Sequence, residues 1–152
     1  MPEIASIVYK PHDAAPDAPD HYTRIPVTFA VLVEGRGIDG DAKGVPQRQL
    51  NIMSAETLAQ LAREGFHAGP GQMGEQIALR GLDVDTLAEG DGLEFGNEAQ
   101  VEVVKPRTGC DRFAAIQGRS PDTAQRRLGV IARVVTGGRI RVGDPVRVVV
   151  RA

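Results

Sequence analysis

Cysteine, tryptophan and long apolar runs are scarce in this sequence, and each scarcity excludes a class of protein. The chain has one cysteine and no tryptophan, and a single cysteine cannot form the internal disulfides of a small secreted domain. It has no run of about 18 apolar residues to span a bilayer, and its N-terminus lacks the apolar core of a signal peptide. The net charge of −2 gives no general attraction to nucleic acid or anionic lipid. We therefore expect a cytoplasmic protein with no nucleic-acid or membrane partner.

Glycine and proline, by contrast, are plentiful and spread along the chain. There are 18 glycines and 10 prolines, and because both residues interrupt regular structure, this spread favours many short strands over long helices. A length of 152 residues fits one domain, so we expect residues 1–152 to form a single, mainly β domain. Residues 11–21, PHDAAPDAPDH, have no apolar period and predict an exposed loop.

Apolar runs bounded by turn residues predict the strands. The predicted strands are residues 4–9, 27–34, 49–53, 77–82, 93–95, 100–104, 130–135, 139–142 and 146–150. The nearly continuous apolar run at residues 27–34 further indicates a strand buried on both faces. Gly137-Gly138 indicates a two-residue hairpin turn between the strands on either side of it.

Capping signals predict two helices. Ser54 as N-cap and Gly65 as C-terminal stop bound a helix over residues 55–64. A second, short helix is predicted to start at Ser120, with proline at its first position, and to end near Gly129.

Several motifs that suggest ligand sites are not supported by their surroundings. Residues 35–40, GRGIDG, match G-x-G-x-x-G, but no helix pattern follows, so turns with positive φ are favoured over a dinucleotide site. Residues 83–94 lack the inner ligand and the glycine of a calcium loop. The histidines and aspartates of residues 12–21 lie in the Pro-rich loop, where a rigid metal site is not expected. No zinc-ligand spacing exists around one cysteine.

The single cysteine lies in a basic segment, KPRTGCDRF, at residues 105–113. Residues 105–127 carry six basic and two acidic side chains, so the segment is +4 in a chain that is −2. A positive field favours the thiolate, which is the nucleophilic and metal-binding form of cysteine, and it attracts phosphate, which arginine binds through two hydrogen bonds. The alternative is a buried, inert Cys110 that fills space as a small hydrophobe. The neighbouring charges favour the functional interpretation.

Several segments together resemble the MOSC domain family, named after the C-terminal domain of molybdenum cofactor sulfurases. They are GIDGD at residues 37–41, RQLNIMSAETL at 48–58, PGQMGEQI at 70–77, GLDVDTLAEGDGLEFG at 81–96, VEVVKPRTGCDRF at 101–113 and GVIARVVTGGRIRVGDPV at 129–146. Each segment is weak evidence alone. Their order and spacing over nearly the whole chain carry the resemblance.

This resemblance implies a mainly β fold with a barrel-like core and a few short helices, and a site for molybdenum cofactor (molybdopterin). Cys110 stands at the family's characteristic cysteine, proposed in relatives to carry sulfur as a persulfide or to ligate molybdenum. The cofactor contacts it implies are less specific: Arg48, Lys43, Lys105, Arg107, Arg112 and Glu75.

The sequence departs from the family pattern at two places. Gln76 replaces the asparagine of a Gly-Glu-Asn signature, and Lys43 lies in a loop where relatives often have histidine. For Glu75, a carboxylate that fixes its loop by accepting backbone N–H groups is favoured slightly over a direct role. Turn roles are favoured for Asp39 and Asp41.

Three functions are compatible with this pattern. The leading one is a protein that binds molybdenum cofactor, or carries sulfur on Cys110 for delivery to a metal–sulfur centre. Its sulfur donor would be a separate cysteine desulfurase, a pyridoxal-phosphate enzyme, and its acceptor a molybdoenzyme. The second is a molybdenum-dependent reductase of N-hydroxylated compounds with a separate redox partner, since one cysteine cannot hold an iron–sulfur cluster. The third is a non-catalytic binding or regulatory module.

Overall fold

The computed structural model describes residues 1–12, 24–42, 48–108, 111–119, 124 and 126–149, with the side chains of residues 111, 112 and 115 outside the description. Strands dominate, as the glycine and proline spread predicts. They are β1 (Glu3–Tyr9), β2 (Ile25–Val27), β3 (Phe29–Val33), β4 (Gly37–Ile38), β5 (Leu50–Ser54), β6 (Ile77–Arg80), β7 (Gly92–Phe95), β8 (Ala99–Pro106), β9 (Val130–Thr136), β10 (Gly138–Arg141) and β11 (Val146–Val149). The helices are α1 (Ala55–Arg63), α2 (Asp111–Gln117) and a 3-10 helix at Val84–Thr86.

Eight strands form one curled sheet in the order β11-β7-β8-β9-β5-β6-β1-β2. The curl brings β1 back to the segment just before β11, where the Ile4 amide donates to the Asp144 carbonyl at 3.0 Å and the Gly143 amide to the Ile4 carbonyl at 2.8 Å. These bonds bridge most of the gap between the ends of the sheet. The result is the barrel-like, mainly β core expected from the resemblance.

A second sheet, in the order β10-β3-β4, closes one side of this core. Its inward residues Ala30, Leu32, Ile38 and Ile140 join the apolar cluster inside the curled sheet. Strand alternation explains the arrangement, because every second side chain of a strand points to the same face. The core is therefore one continuous apolar volume shared by both sheets.

The helices pack on the outside of β5 and β6. Helix α1 buries Leu58 and Leu61, which join Met53, Phe66 and Phe113 in a second apolar cluster. Gly65 follows α1 with φ of 96°, the left-handed conformation that ends helices. Among the described residues, no helix is long and apolar enough to cross a membrane.

Two strand predictions are wrong in their details. Residues 27–34 do not form one strand buried on both faces, because Thr28 separates β2 from β3. Phe29 and Val31 face outward, with 54% and 39% of their surface exposed. Gly137-Gly138 does not form a hairpin: β9 pairs with β5 and β8, whereas β10 pairs with β3 in the other sheet. The two glycines carry the chain from one sheet to the other.

The helix prediction for α1 is right, and the predicted end of the second helix is wrong. Arg126 has φ of 66° and residues 127–129 are irregular, so a helix does not continue to Gly129. Residues 120–123 and 125 of that prediction, and residues 13–21 of the predicted loop, lie outside the described part of the chain. Helix α2 was not predicted, because its seven residues carry too short an apolar pattern to be distinguished from a loop.

Candidate functional site

Four of the motif segments meet along one row of the curled sheet. Lys105 near the end of β8 pairs with Ile131 of β9, and Ile131 pairs with Asn51 of β5, so the three residues form one row across the sheet. The loop 70–76 lies beside this row, because the Asn51 side-chain amide donates to the Gly74 carbonyl at 3.0 Å. The chain leaves β8 here and enters residues 107–110. Segments distant in the sequence thus meet beside Arg107, which precedes Cys110 by three residues in the sequence.

Arg107 is buried at the centre of this meeting point, with 7% of its surface exposed. Its guanidinium donates to the Met73 carbonyl at 2.5 Å and to the Leu128 carbonyl at 3.4 Å. The same group lies 3.8 Å from the Met53 sulfur. Its backbone amide donates to the Gly129 carbonyl at 2.9 Å. Side chain and backbone of Arg107 therefore both hold neighbouring segments.

Glu75 is buried in the facing loop, with 1% of its surface exposed. Its two carboxylate oxygens accept hydrogen bonds from the Gly71 amide at 2.9 Å and the Met73 amide at 3.2 Å. Burial raises the pKa of Glu75, while these backbone donors and the positive charge of Arg107 oppose the rise. The carboxylate does hold its loop in the way that the loop-fixing interpretation describes.

The departure at Gln76 has a structural explanation. The Gln76 side-chain oxygen accepts a hydrogen bond from the backbone N–H of Asn51 at 2.7 Å. The Gln76 side-chain nitrogen donates to Asp41 Oδ2 at 3.2 Å. Asp41 is 1% exposed, and its other oxygen accepts from the Lys10 amide at 3.1 Å. A glutamine is long enough to join Asn51 and Asp41. Asp41 thus has a role beyond the predicted turn, since it connects β1 to the loop before β6.

At Gly129, the segment that leads into β9 lies against the backbone of Ile52 in β5. The φ of Gly129 is 75°, and a Cβ atom at this position would overlap the Ile52 carbonyl oxygen. Its amide donates to Asp85 Oδ1 at 2.8 Å. Burial is the main cause that raises the pKa of Asp85, and the Gly129 hydrogen bond opposes it. Only glycine fits between β5 and the Arg107 segment.

The remaining predicted site residues are placed only in part. Lys105, near the C-terminal end of β8, and Arg48, just before β5, are both exposed. Cys110 and Lys43 lie outside the described residues, and Arg112 is described only through its backbone in α2. Within the described ranges, no three His, Cys, Asp or Glu side chains are grouped to hold a metal ion.

The structure adds two residues that the sequence did not single out, Asn51 and Gly129. Asn51 lies inside the quoted RQLNIMS segment, and Gly129 opens the quoted GVIARVV segment, but neither residue type signals its partner. The described residues also form two surface grooves of about 560 and 580 Å³, lined by β2–β4 and by α1 with the loop after β6. Of the predicted site residues whose side chains are described, Arg48, Glu75, Lys105 and Arg107, none lines either groove.

The class of protein follows from a curled β sheet on which the motif segments meet in one row. The MOSC domain model matches residues 39–147, which is more than half of the chain, and the chain belongs to the MOSC domain family. Among curated proteins no match is found.

Solved structures share the fold at low sequence identity. YuaD from Bacillus subtilis has a TM-score of 0.74 and 18% identity, with 97% of this chain and 96% of that one covered. YiiM from Escherichia coli has a TM-score of 0.71 and 23% identity, over 99% of this chain and 71% of that one. YiiM from Geobacillus stearothermophilus has a TM-score of 0.73 and 23% identity, over 99% and 76%.

Proposed function

We propose that this MOSC protein binds molybdenum cofactor or carries sulfur for it, with Cys110 as the reacting residue. The observation that supports the proposal is the family match over residues 39–147, which includes the basic segment around the only cysteine. The meeting of the motif segments beside the row of Lys105, Ile131 and Asn51 supports a single site there. Family membership by itself does not choose between carrying sulfur and holding metal.

The exposed cations fit an anionic cofactor. Lys105 and Arg48 are exposed and are available to a phosphate group, and we assign the same role to Lys43 and Arg112. The charge of residues 105–127 is +4, which favours a Cys110 thiolate. A thiolate suits both persulfide formation and a soft metal–sulfur centre. When bound, the cofactor would supply redox chemistry at molybdenum, and this chain would supply the anion contacts and the thiolate.

As a sulfur carrier, Cys110 would accept sulfane sulfur from the persulfide of a cysteine desulfurase. The Cys110 thiolate attacks the outer sulfur, the sulfur–sulfur bond of the donor breaks, and the donor leaves as a thiolate. A molybdoenzyme would then take the sulfur. The second candidate, a reductase of N-hydroxylated compounds, requires stable metal occupancy and a separate electron donor.

The deciding experiment is to measure the molybdenum and pterin content of the protein purified from a cofactor-competent host. Wild type is compared with Cys110→Ala and with Lys105→Met, which keeps the thiol and removes one exposed cation. Near-stoichiometric molybdenum that disappears in Cys110→Ala indicates a metal ligand and the reductase. Absence of metal and pterin from wild type, with a persulfide found on Cys110, indicates the carrier. If Cys110→Ala changes neither cofactor content nor sulfur transfer, the regulatory module is the remaining explanation.

A further inference from the structure

The guanidinium of Arg107 is committed to the protein itself. It is 7% exposed and donates to the carbonyls of Met73 and Leu128. These two bonds fix the orientation of the guanidinium, and displacing it towards an anion would leave buried carbonyls without donors, which is costly. Lys105, two residues earlier, is exposed and has no such constraint. Anion binding at this site therefore suits Lys105 better than Arg107.

Arg107 and Glu75 hold opposite sides of one residue. The Met73 amide donates to Glu75 at 3.2 Å, and the Met73 carbonyl accepts from Arg107 at 2.5 Å. Gly71 and Gly74, on either side, have φ of 76° and 84°, a conformation that ordinary residues avoid. The loop therefore depends on both charged groups for its shape, and the two groups are linked through it.

The backbone of Arg107 is held as well as its side chain. The Arg107 amide is bound to the Gly129 carbonyl at 2.9 Å, while the Arg107 side chain reaches the 71–75 loop. Arg107 is thus fixed at both its backbone and its side chain, three residues before Cys110 in the sequence. If the side chain is loosened, the backbone bond to Gly129 is left to hold the start of that segment without the support of the 71–75 loop.

We propose that Arg107 and Glu75 act together as one positioning pair, which fixes the 71–75 loop against the exit of β8 and so controls the reactivity of Cys110, three residues further along the sequence. The inference rests on the proposed role of Cys110 and replaces the direct cofactor contacts expected for Arg107 and Glu75. The reactivity of Cys110 is then expected to depend on both groups together.

A direct effect of each charge on the Cys110 thiol predicts a different pattern of variant reactivities from a positioning pair, so the two explanations can be separated. If each charge acted on the thiol by itself, removal of Arg107 would disfavour the thiolate and removal of Glu75 would favour it. The two effects would have opposite signs and would add. Arg107→Lys would resemble wild type, because it keeps the charge. A positioning pair gives effects of the same sign that do not add, and lysine does not rescue because it lacks the planar fork of donors.

The test is the rate of alkylation of Cys110, the only cysteine, by iodoacetamide at pH 7 in the purified full chain without added cofactor. The variants are Arg107→Lys, Glu75→Gln, their combination, and Lys105→Met as a control that removes an exposed unit charge nearby. Thermal unfolding confirms that each variant is folded at the assay temperature. The wild-type rate is also compared with that of the denatured chain, which reports on the activated thiolate of the proposed function separately from the pair.

Arg107→Lys and Glu75→Gln are each expected to lower the rate about tenfold, the factor that corresponds to about 1.4 kcal/mol. The combined variant is expected to fall no further. A faster rate in Glu75→Gln, a wild-type rate in Arg107→Lys, or unchanged rates in all variants would overturn the proposal. If Arg107→Lys does not fold, the sign of the Glu75→Gln effect still decides, since direct electrostatics requires an increase.

Discussion

Shortening Gln76 to asparagine, the residue of the family signature, is expected to destabilise this protein. Gln76 joins the Asn51 amide at 2.7 Å to Asp41 Oδ2 at 3.2 Å, and it is 4% exposed. A side chain one methylene shorter cannot span both partners. One buried polar group then loses its hydrogen bond, which costs about 1–3 kcal/mol, with larger values where the partner is charged. We expect a loss of about 2 kcal/mol, since the lost contact is the one to the Asp41 carboxylate.

The assay is chemical and thermal unfolding of the wild type and Gln76→Asn. A loss of about 2 kcal/mol lowers the melting temperature of a chain of this size by about 4–8 °C, with the denaturant slope unchanged. The control is Gln60→Asn on the exposed face of α1, where a change within about 0.5 kcal/mol is expected.

A compensating change tests the distance argument itself. Asp41→Glu restores the missing methylene from the other side, so the double variant Gln76→Asn with Asp41→Glu is expected to regain part of the lost stability. Equal stability of Gln76→Asn and wild type, or simple addition of the two single effects, would refute the reasoning. In that case Gln76 would be a neutral replacement of asparagine.

Three further predictions follow from the contacts of the site and the sheet. Gly129→Ala is expected to lower the free energy of unfolding by more than about 3 kcal/mol in a thermal melt. The matched control is Gly118→Ala, where φ is a similar 65° but the surrounding space is open, and the expected loss is only about 1–2 kcal/mol. Equal losses would contradict the predicted overlap at Gly129. Ser54→Ala removes two hydrogen bonds, of 2.7 Å each, to the backbone of Leu82 and Val84 after β6. The free energy of unfolding should fall by about 1–3 kcal/mol. The helical circular dichroism should not change, because the Ser54 side chain does not cap α1. Burial raises the pKa of Glu75, so proton binding by Glu75 stabilises the fold below the ordinary carboxyl pKa, and this stabilisation is lost as pH rises through the pKa of the folded state. Glu75→Gln should remove this part of the pH dependence of the unfolding free energy, measured from pH 4 to 8. An unchanged profile would argue against the raised pKa.

Local sequence determined the elements whose cause is local. The strands follow from alternating or continuous apolar runs, and α1 follows from its apolar spacing and from Gly65 at its end. The glycines of residues 35–40 have positive φ as predicted, at 73°, 119° and 85°, because turn geometry is a property of a few adjacent residues. Motif order over the chain was sufficient to indicate the family and hence the barrel-like core.

Pairing partners and the roles of charged residues were decided only by tertiary structure. Gly137-Gly138 looks like a hairpin turn in the sequence, but β9 and β10 on either side of it pair with strands of two different sheets. Ser54 looks like a helix cap, yet its hydroxyl bonds to Leu82 and Val84 instead. Arg107 looks like an anion ligand beside a cysteine, yet its donors are used by carbonyls 34 and 21 residues away in sequence. Whether a polar group faces solvent or a buried carbonyl depends on segments distant in the chain, because hydrogen bonding and burial are set by spatial neighbours rather than by sequence neighbours.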